Sequence, residues 1–162
     1  MKPVLREQIE ASWNRLCDLD EKQSAAFSQK FLAAQPALGI YLFASTEEMG
    51  NEAGQSPVIE LTMAVWEAMS EAAGKQLPQI TPEEIDSAED KNSGMLESLA
   101  DGSEFQMHDA AAGLITSFNQ REILGFCVEV IMQDSSEQPE LAPDRVGLEL
   151  LMLKTVIDCL DK

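Results

Sequence analysis

The sequence predicts one all-α domain of seven or eight helices that extends over residues 1–162. Apolar residues recur every three or four positions along most of the chain, which is the period of an amphipathic helix. No segment shows the strict alternation that is typical of a half-buried strand. Proline and capping residues separate the periodic segments, and 162 residues, of which 44% are hydrophobic, suffice for one core.

Three helices are predicted before the first long loop. Pro3 can lie in the first turn of a helix that continues to about residue 19. Its apolar stripe consists of Leu5, Ile9, Trp13 and Leu16. A second helix is predicted over residues 22–35, and Pro36 ends it because proline lacks the N–H that a helix interior uses. Pro36 can also begin a short third helix that carries Leu38, Tyr41, Leu42 and Phe43. The small, acidic and Gly-containing stretch 45–56 predicts a loop.

The middle of the chain predicts two helices. Pro57 opens the first, which places Val58, Leu61, Val65 and Met69 inward and ends near Gly74. A loop over 75–81 leads to a capping sequence, Thr81-Pro82-Glu83-Glu84, which is a strong start signal for the next helix. The polar run 91–94 predicts that this helix frays or breaks there and then resumes through Leu99.

Three further helices are predicted toward the end. Asp101-Gly102 interrupts the chain, and Ser103 caps a helix that carries the single histidine. The next helix is predicted over 119–133, and a loop over 134–142 separates it from a last helix over 143–160. The inward seam of the last helix is predicted to consist of Val146, Leu150, Leu153, Ile157 and Leu160.

The charge of the chain restricts its partners. Its 29 acidic and 11 basic residues give a net charge of -18. Such a field repels phosphate backbones and anionic lipid, so we expect neither nucleic-acid nor membrane binding. A soluble, solvated surface explains the charge, and a basic protein partner or nucleic-acid mimicry is the alternative.

The cysteines and the N-terminal segment predict a cytoplasmic protein. Cys17, Cys127 and Cys159 are odd in number and widely spaced, which favours buried free thiols over disulfides or a zinc site. The start of the chain lacks the apolar core of a signal peptide, and no run approaches 18 apolar residues.

Other chemical signals are sparse. Acidic pairs such as Glu47-Glu48 and Glu83-Glu84 are typical of solvated helix faces, with a hard cation as the alternative. The sequence shows no nucleophile–base pattern or phosphate loop, which favours a binding protein over an enzyme. Trp66 lies off the main stripe of its helix, which favours a role at an interface.

The bulky residues near the start follow a recognisable order. Their pattern is Phe27-x3-Phe31-Leu32-x3-Pro36-x-Leu38-x4-Phe43. This spacing resembles the second and third helices of bacterial single-domain globins and flavohaemoglobins, and Ser12-Trp13 is similar to a pair in the first helix of many globins. Leu124-Gly125, followed by Val128 and Ile131, is similar to the penultimate globin helix. Residues 143–160 are similar to the last globin helix. The resemblance covers both ends of the chain and not its middle.

The resemblance implies a globin-like fold with a haem. His108, the single histidine, would be the proximal ligand of the haem iron, Phe43 would pack against the haem, and Gln55 would lie on the distal side. The tyrosine that often assists the distal residue in such globins is Ser28 here. The distance from Gln55 to His108 implies an insertion across about 75–94. A histidine that binds nothing is the alternative.

These observations leave three functions open. The resemblance implies reversible binding of haem and a diatomic gas by a carrier or sensor. The first alternative is a haem-free globin-fold sensor or adaptor that holds a small apolar ligand. The second is an unrelated helical bundle whose acidic surface engages a basic protein, and a homodimer is a further expectation.

Overall fold

The computed structural model describes residues 1–48, 57–100, 118–137 and 143–162. Within these ranges the chain forms seven helices and no strand, which confirms the all-α prediction. The helices are α1 (Arg6–Cys17), α2 (Glu21–Ala34), α3 (Pro36–Glu48), α4 (Val58–Ala73), α5 (Pro82–Ala100), α6 (Arg121–Glu137) and α7 (Pro143–Leu160). The predicted helix after Ser103 lies outside the described residues. None of the described helices is both long and apolar enough to cross a membrane.

Two helices form the centre of the fold. The α4 helix packs against α1, α2, α6 and α7, and the α7 helix packs against α4, α5 and α6. Because α4 has neighbours on several sides, most of its residues are buried, in contrast to the single stripe of a surface helix. The predicted inward residues of α4 are all fully buried, namely Val58, Leu61, Val65 and Met69.

Four predicted boundaries are wrong. The α1 helix begins at Arg6 and not at Pro3, so Leu5 precedes the helix and is 55% exposed instead of lying in its apolar stripe. The α5 helix continues through residues 91–94, because buried Asn92 donates hydrogen bonds to Thr155 Oγ1 (3.2 Å) and Asp158 Oδ2 (3.0 Å) of α7. These contacts outweigh the weak local helix propensity of that run. The α3 helix continues to Glu48, beyond the predicted loop start at residue 45, and α6 continues to Glu137 instead of ending at residue 133.

The side chain of Trp66 faces the interior. It is only 6% exposed, and its ring centroid lies 5.9 Å from that of Phe27 and 5.5 Å from that of Phe31, both edge-on. Edge-on aromatic pairs of this kind stabilise a core beyond the area that they bury. The expected role of Trp66 at an interface with another molecule is therefore wrong, because the indole attaches α2 to α4.

Asp161 connects the two ends of the described chain. Its carboxylate lies 3.0 Å from the Met1 ammonium and accepts hydrogen bonds from Asn119 and Gln120, each at 2.8 Å. Gln120 also accepts the N–H of Val4 at 2.9 Å. Burial alone would raise the pKa of Asp161, but these donors and the ammonium together lower it.

Candidate functional site

The described residues contain one member of the predicted haem site. Phe43 lies in the second half of α3, and its side chain is 50% exposed. Gln55 and His108 lie outside the described residues. Of the three predicted haem-site residues, the structure therefore describes the surroundings of Phe43 alone. Phe43 belongs to an exposed surface that α2 and α3 form together.

Buried Gln35 fixes the corner between α2 and α3. The α2 helix begins with a capping box, in which Asp20 accepts the N–H of Gln23 at 2.8 Å. At the other end, the side chain of Gln35 donates to the carbonyl of Pro78 (2.9 Å) and accepts the N–H of Ile80 (3.0 Å). Pro36 begins α3 immediately after Gln35, so Gln35 lies at the corner between the two helices. Its hydrogen bonds therefore attach this corner to the segment that connects α4 to α5.

A glycine brings α2 and α3 into close contact. A Cβ atom built at Gly39 would lie 2.3 Å from Cδ2 of Leu32, a distance that atoms do not tolerate. Gly39 therefore lets the Leu32 side chain rest on the backbone of α3. Leu32 remains 37% exposed in this position, so it forms the edge of a surface that both helices share.

The α3 helix is apolar on both sides, and only one side faces the core. Leu38 and Leu42 are almost fully buried. Helical spacing places Pro36, Ile40, Phe43 and Ala44 on the opposite side, and all four are exposed. Ile40 is 73% exposed, the largest value among the large apolar side chains described. We call Leu32, Pro36, Ile40, Phe43 and Ala44 the outer face.

A tyrosine holds the inner side of α3 against α5. The hydroxyl of Tyr41 donates to Oε1 of Glu89 at 2.7 Å. Burial, followed by the adjacent Glu89 carboxylate, raises the pKa of Tyr41 above its usual range, so the phenol stays protonated and keeps donating. This bond and the bonds of Gln35 hold the outer face in place on a packed interior.

The stretch that carries the outer face is nearly free of charge. A quarter of the chain is charged, but Lys30 is the single charged residue between Lys22 and Glu47, and that interval contains no carboxylate. The Lys30 ammonium lies 5.6 Å from the centroid of the Trp66 ring, where the ring face attracts a cation. The outer face is thus an apolar surface on a strongly acidic molecule.

A separate groove of about 660 Å³ lies between the C-terminal halves of α2 and α4. Lys30 and Lys75 line it together with Glu67 and Glu71. Both carboxylates already contact the Arg15 guanidinium, at 3.1 and 2.8 Å. Because exposed pairs of this kind contribute little to stability or binding, the groove is a weaker candidate than the outer face.

The thiols are unsuited to catalysis. Burial raises the pKa of Cys127 to about 12 and that of Cys159 to about 11. Partial burial, and then the carboxylates of Asp18 and Glu60, also raise the pKa of Cys17. Thiols with such values are protonated and weakly nucleophilic at neutral pH. The prediction of buried free thiols is confirmed for Cys127 and Cys159 and wrong for Cys17, which is exposed.

The described ranges also contain no group of three or more His, Cys, Asp or Glu side chains that could hold a metal ion. The predicted acidic pair Glu83-Glu84 lies in the first turn of α5, where the Glu84 side chain accepts the Thr81 N–H at 2.9 Å. The Lys162 ammonium contacts Glu84, and this hydrogen bond lowers the pKa of that carboxylate.

The outer face was missed at the level of sequence. The segment from Pro36 to Phe43 is apolar at almost every position, so periodicity does not separate its two sides. A usable signal was the absence of acidic residues over more than twenty positions of so acidic a chain.

No protein-family model, no curated protein and no solved structure matches this chain.

Proposed function

We propose that this protein is a helical adaptor that binds another protein chain through the outer face. The exposure of Ile40 and Phe43, one helical turn apart, is the observation that carries the proposal. Contiguous apolar patches on soluble domains commonly mark sites of interaction, whereas single exposed apolar residues do not. Leu5, Met132 and Leu148 are exposed large apolar residues on other helices or at their ends, and they serve as comparisons.

Burial of the outer face gives a modest driving force. Fully burying an Ile or Phe side chain contributes about 1.5–3 kcal/mol, so burial of the exposed parts of Ile40 (73%) and Phe43 (50%) would contribute roughly 2–4 kcal/mol in total. Association also costs translational, rotational and side-chain entropy. The face therefore supports a reversible contact.

The support beneath the face reduces that cost. Gln35 and Tyr41 fix α3 through hydrogen bonds of 2.7–3.0 Å to two other parts of the chain. A surface that is already held in its binding geometry loses less conformational entropy on binding than a mobile one.

Site-specific photo-crosslinking tests the proposal. A photoreactive phenylalanine analogue at Ala44, which is exposed on the outer face, should form covalent protein adducts in cells. The same analogue at Gln133, exposed on α6, is the control for non-specific capture. Ile40→Glu should abolish the adducts formed at position 44. The proposal fails if position 44 gives no adduct, or if Ile40→Glu leaves its adducts unchanged.

A second candidate function is the binding of haem and a diatomic gas, as the globin resemblance implies. The half-exposed ring of Phe43 supports it, because an apolar aromatic surface is available at the position assigned to haem contact. His108 would ligate the iron, and Gln55 would face the bound gas. When bound, the haem would supply the iron that coordinates the gas. Phe43 shares the outward side of α3 with Ile40, so a haem there would need further enclosure.

Hemin titration distinguishes the two functions. Haem binding predicts a saturable Soret band at one equivalent of hemin, and His108→Ala should abolish it. A protein without this activity would give only the spectrum of free hemin, unchanged in His108→Ala. Phe43→Leu keeps an apolar group on the outer face, so it should preserve the crosslinks at Ala44.

A further inference from the structure

We infer that the partner of the outer face is a second copy of this chain, bound through the same face. The inference rests on the proposed docking function and specifies its partner. It follows from the distribution of charge on the molecule and from the composition of the face.

Two copies of this chain carry the same large negative charge and repel each other. Each carries a net charge of -18, and charges of one sign in contact across an interface oppose association. The outer face belongs to a stretch without a carboxylate from Lys22 to Thr46. Exposed Glu47, one helical turn after Phe43, adjoins the end of the face, so two copies that meet around Pro36 and Ile40 keep these carboxylates at the edge of the contact and lower the electrostatic cost of self-association.

A basic partner would choose a different surface. Its cations would be attracted to clusters of carboxylates, and the outer face itself contains none, with Glu47 beyond its end as the nearest one in sequence. Lys30 is the charge nearest in sequence to the face, and it would repel a basic segment. The face therefore matches an uncharged apolar surface, and a second outer face has that composition.

The shape of the face also permits symmetric pairing. A two-fold dimer joins one patch to an identical patch, so the patch must be complementary to itself. Exposed Ile40 and Phe43 meet this requirement, because apolar side chains of this kind need no charged or directional counterpart. Pairing would bury the most exposed large apolar side chain of the described chain, Ile40.

The size of the face sets the strength of the dimer. The exposed parts of Leu32, Ile40 and Phe43 amount to an apolar patch on the order of a few hundred Å². Stable complexes bury about 800 Å² on each partner. We therefore expect a weak dimer that forms and dissociates with protein concentration.

Sedimentation velocity over a concentration series tests the inference. The wild-type protein should shift from monomer to dimer as its concentration rises. Dimerisation should strengthen between about 0.1 M and about 1 M NaCl, because the Debye length falls from about 10 Å to about 3 Å and repulsion is screened. Binding of a basic partner would weaken over the same range.

Matched variants locate the interface. Ile40→Glu places a carboxylate from each copy in the contact, and we expect the dissociation constant to rise at least about tenfold. Met132→Glu makes the same change of net charge at a residue that is 55% exposed on α6, and its dissociation constant should match the wild type. Far-UV circular dichroism and the urea midpoint establish that both variants are folded.

The outcomes separate the inference from the proposed function. A sedimentation coefficient that is independent of concentration up to about 1 mM would overturn the inference, since it would place the dissociation constant above about 1 mM. Equal weakening by Ile40→Glu and Met132→Glu would also overturn it. Adducts from Ala44 that contain only another protein would contradict the inference and retain the docking function, whereas the absence of any adduct would remove both.

Discussion

Replacing Gln35 with alanine should loosen the corner from which α3 projects. The Gln35 side chain is fully buried and makes two hydrogen bonds, to the Pro78 carbonyl at 2.9 Å and from the Ile80 N–H at 3.0 Å. Both partners lie more than forty positions along the chain, between α4 and α5. The substitution therefore removes a long-range contact and leaves two backbone groups without their side-chain partner.

The two groups differ in what they lose. Pro78 is exposed, so water can replace the lost donor at its carbonyl. Ile80 is only 3% exposed, and a buried N–H without a partner costs about 1–3 kcal/mol. Adding about 1 kcal/mol for the bond at Pro78 and for the space left by the side chain, we expect Gln35→Ala to lower the free energy of unfolding by about 2–4 kcal/mol.

Urea unfolding followed by circular dichroism measures this loss. The midpoint should fall while the slope m stays constant, which indicates a change of stability and not of compactness. Gln29→Ala, at an exposed position of α2, is the matched control and should stay within about 0.5 kcal/mol of the wild type. A loss below about 0.5 kcal/mol for Gln35→Ala would refute the reasoning, because such a value is typical of a surface site.

Three further predictions concern other parts of the molecule. The effect of Gly39→Ala on the free energy of unfolding should be more favourable by about 1 kcal/mol in a Leu32→Ala background than in the wild type. The reason is that the Leu32 Cδ2 atom, which lies 2.3 Å from the new Cβ, is then absent. Additive effects in a urea double-mutant cycle would contradict this prediction. Because the pKa of Asp161 is lowered in the folded state, its carboxylate stabilises the protein above the ordinary value of 3.8, and this contribution is lost as the pH falls through the folded pKa. Asp161→Asn should therefore destabilise the protein at pH 7 and flatten the acid limb of its stability curve, and an unchanged acid limb would contradict the prediction. A disulfide reagent should modify one thiol of the native protein, that of exposed Cys17. The two buried thiols should react only after unfolding. Rapid reaction of the native Cys17→Ser variant would contradict this prediction.

The sequence predicted those elements whose signals are local. Pro36 and Gly74 mark helix boundaries because their own backbone properties determine where a helix begins or ends. Gly74 follows the last residue of α4 and adopts the left-handed conformation, with a φ of 61°. The prediction of which α4 residues face inward was correct, because the apolar positions of that segment follow the helical period. The start of α5 was equally clear, since the Glu84 N–H and the Thr81 hydroxyl form the expected cap at 3.3 Å.

Features that depend on distant partners were not predictable in the same way. The continuity of α5 depends on Asn92 bonding to α7, more than sixty positions away. The exposed side of α3 depends on which neighbours cover Leu38 and Leu42, because Ile40 and Phe43 are equally apolar in sequence. Phe43 was predicted to contact a haem, and that role stays a prediction.

An NMR dilution series with uniformly ¹⁵N-labelled protein would show where two copies meet. We expect concentration-dependent shifts of backbone amides confined to α2 and α3, with the largest changes around Ile40 and Phe43, and their disappearance in Ile40→Glu. Shifts centred instead on Met132 or Leu148, or a spectrum independent of concentration up to about 1 mM, would contradict the assignment of the outer face as the surface on which this chain pairs.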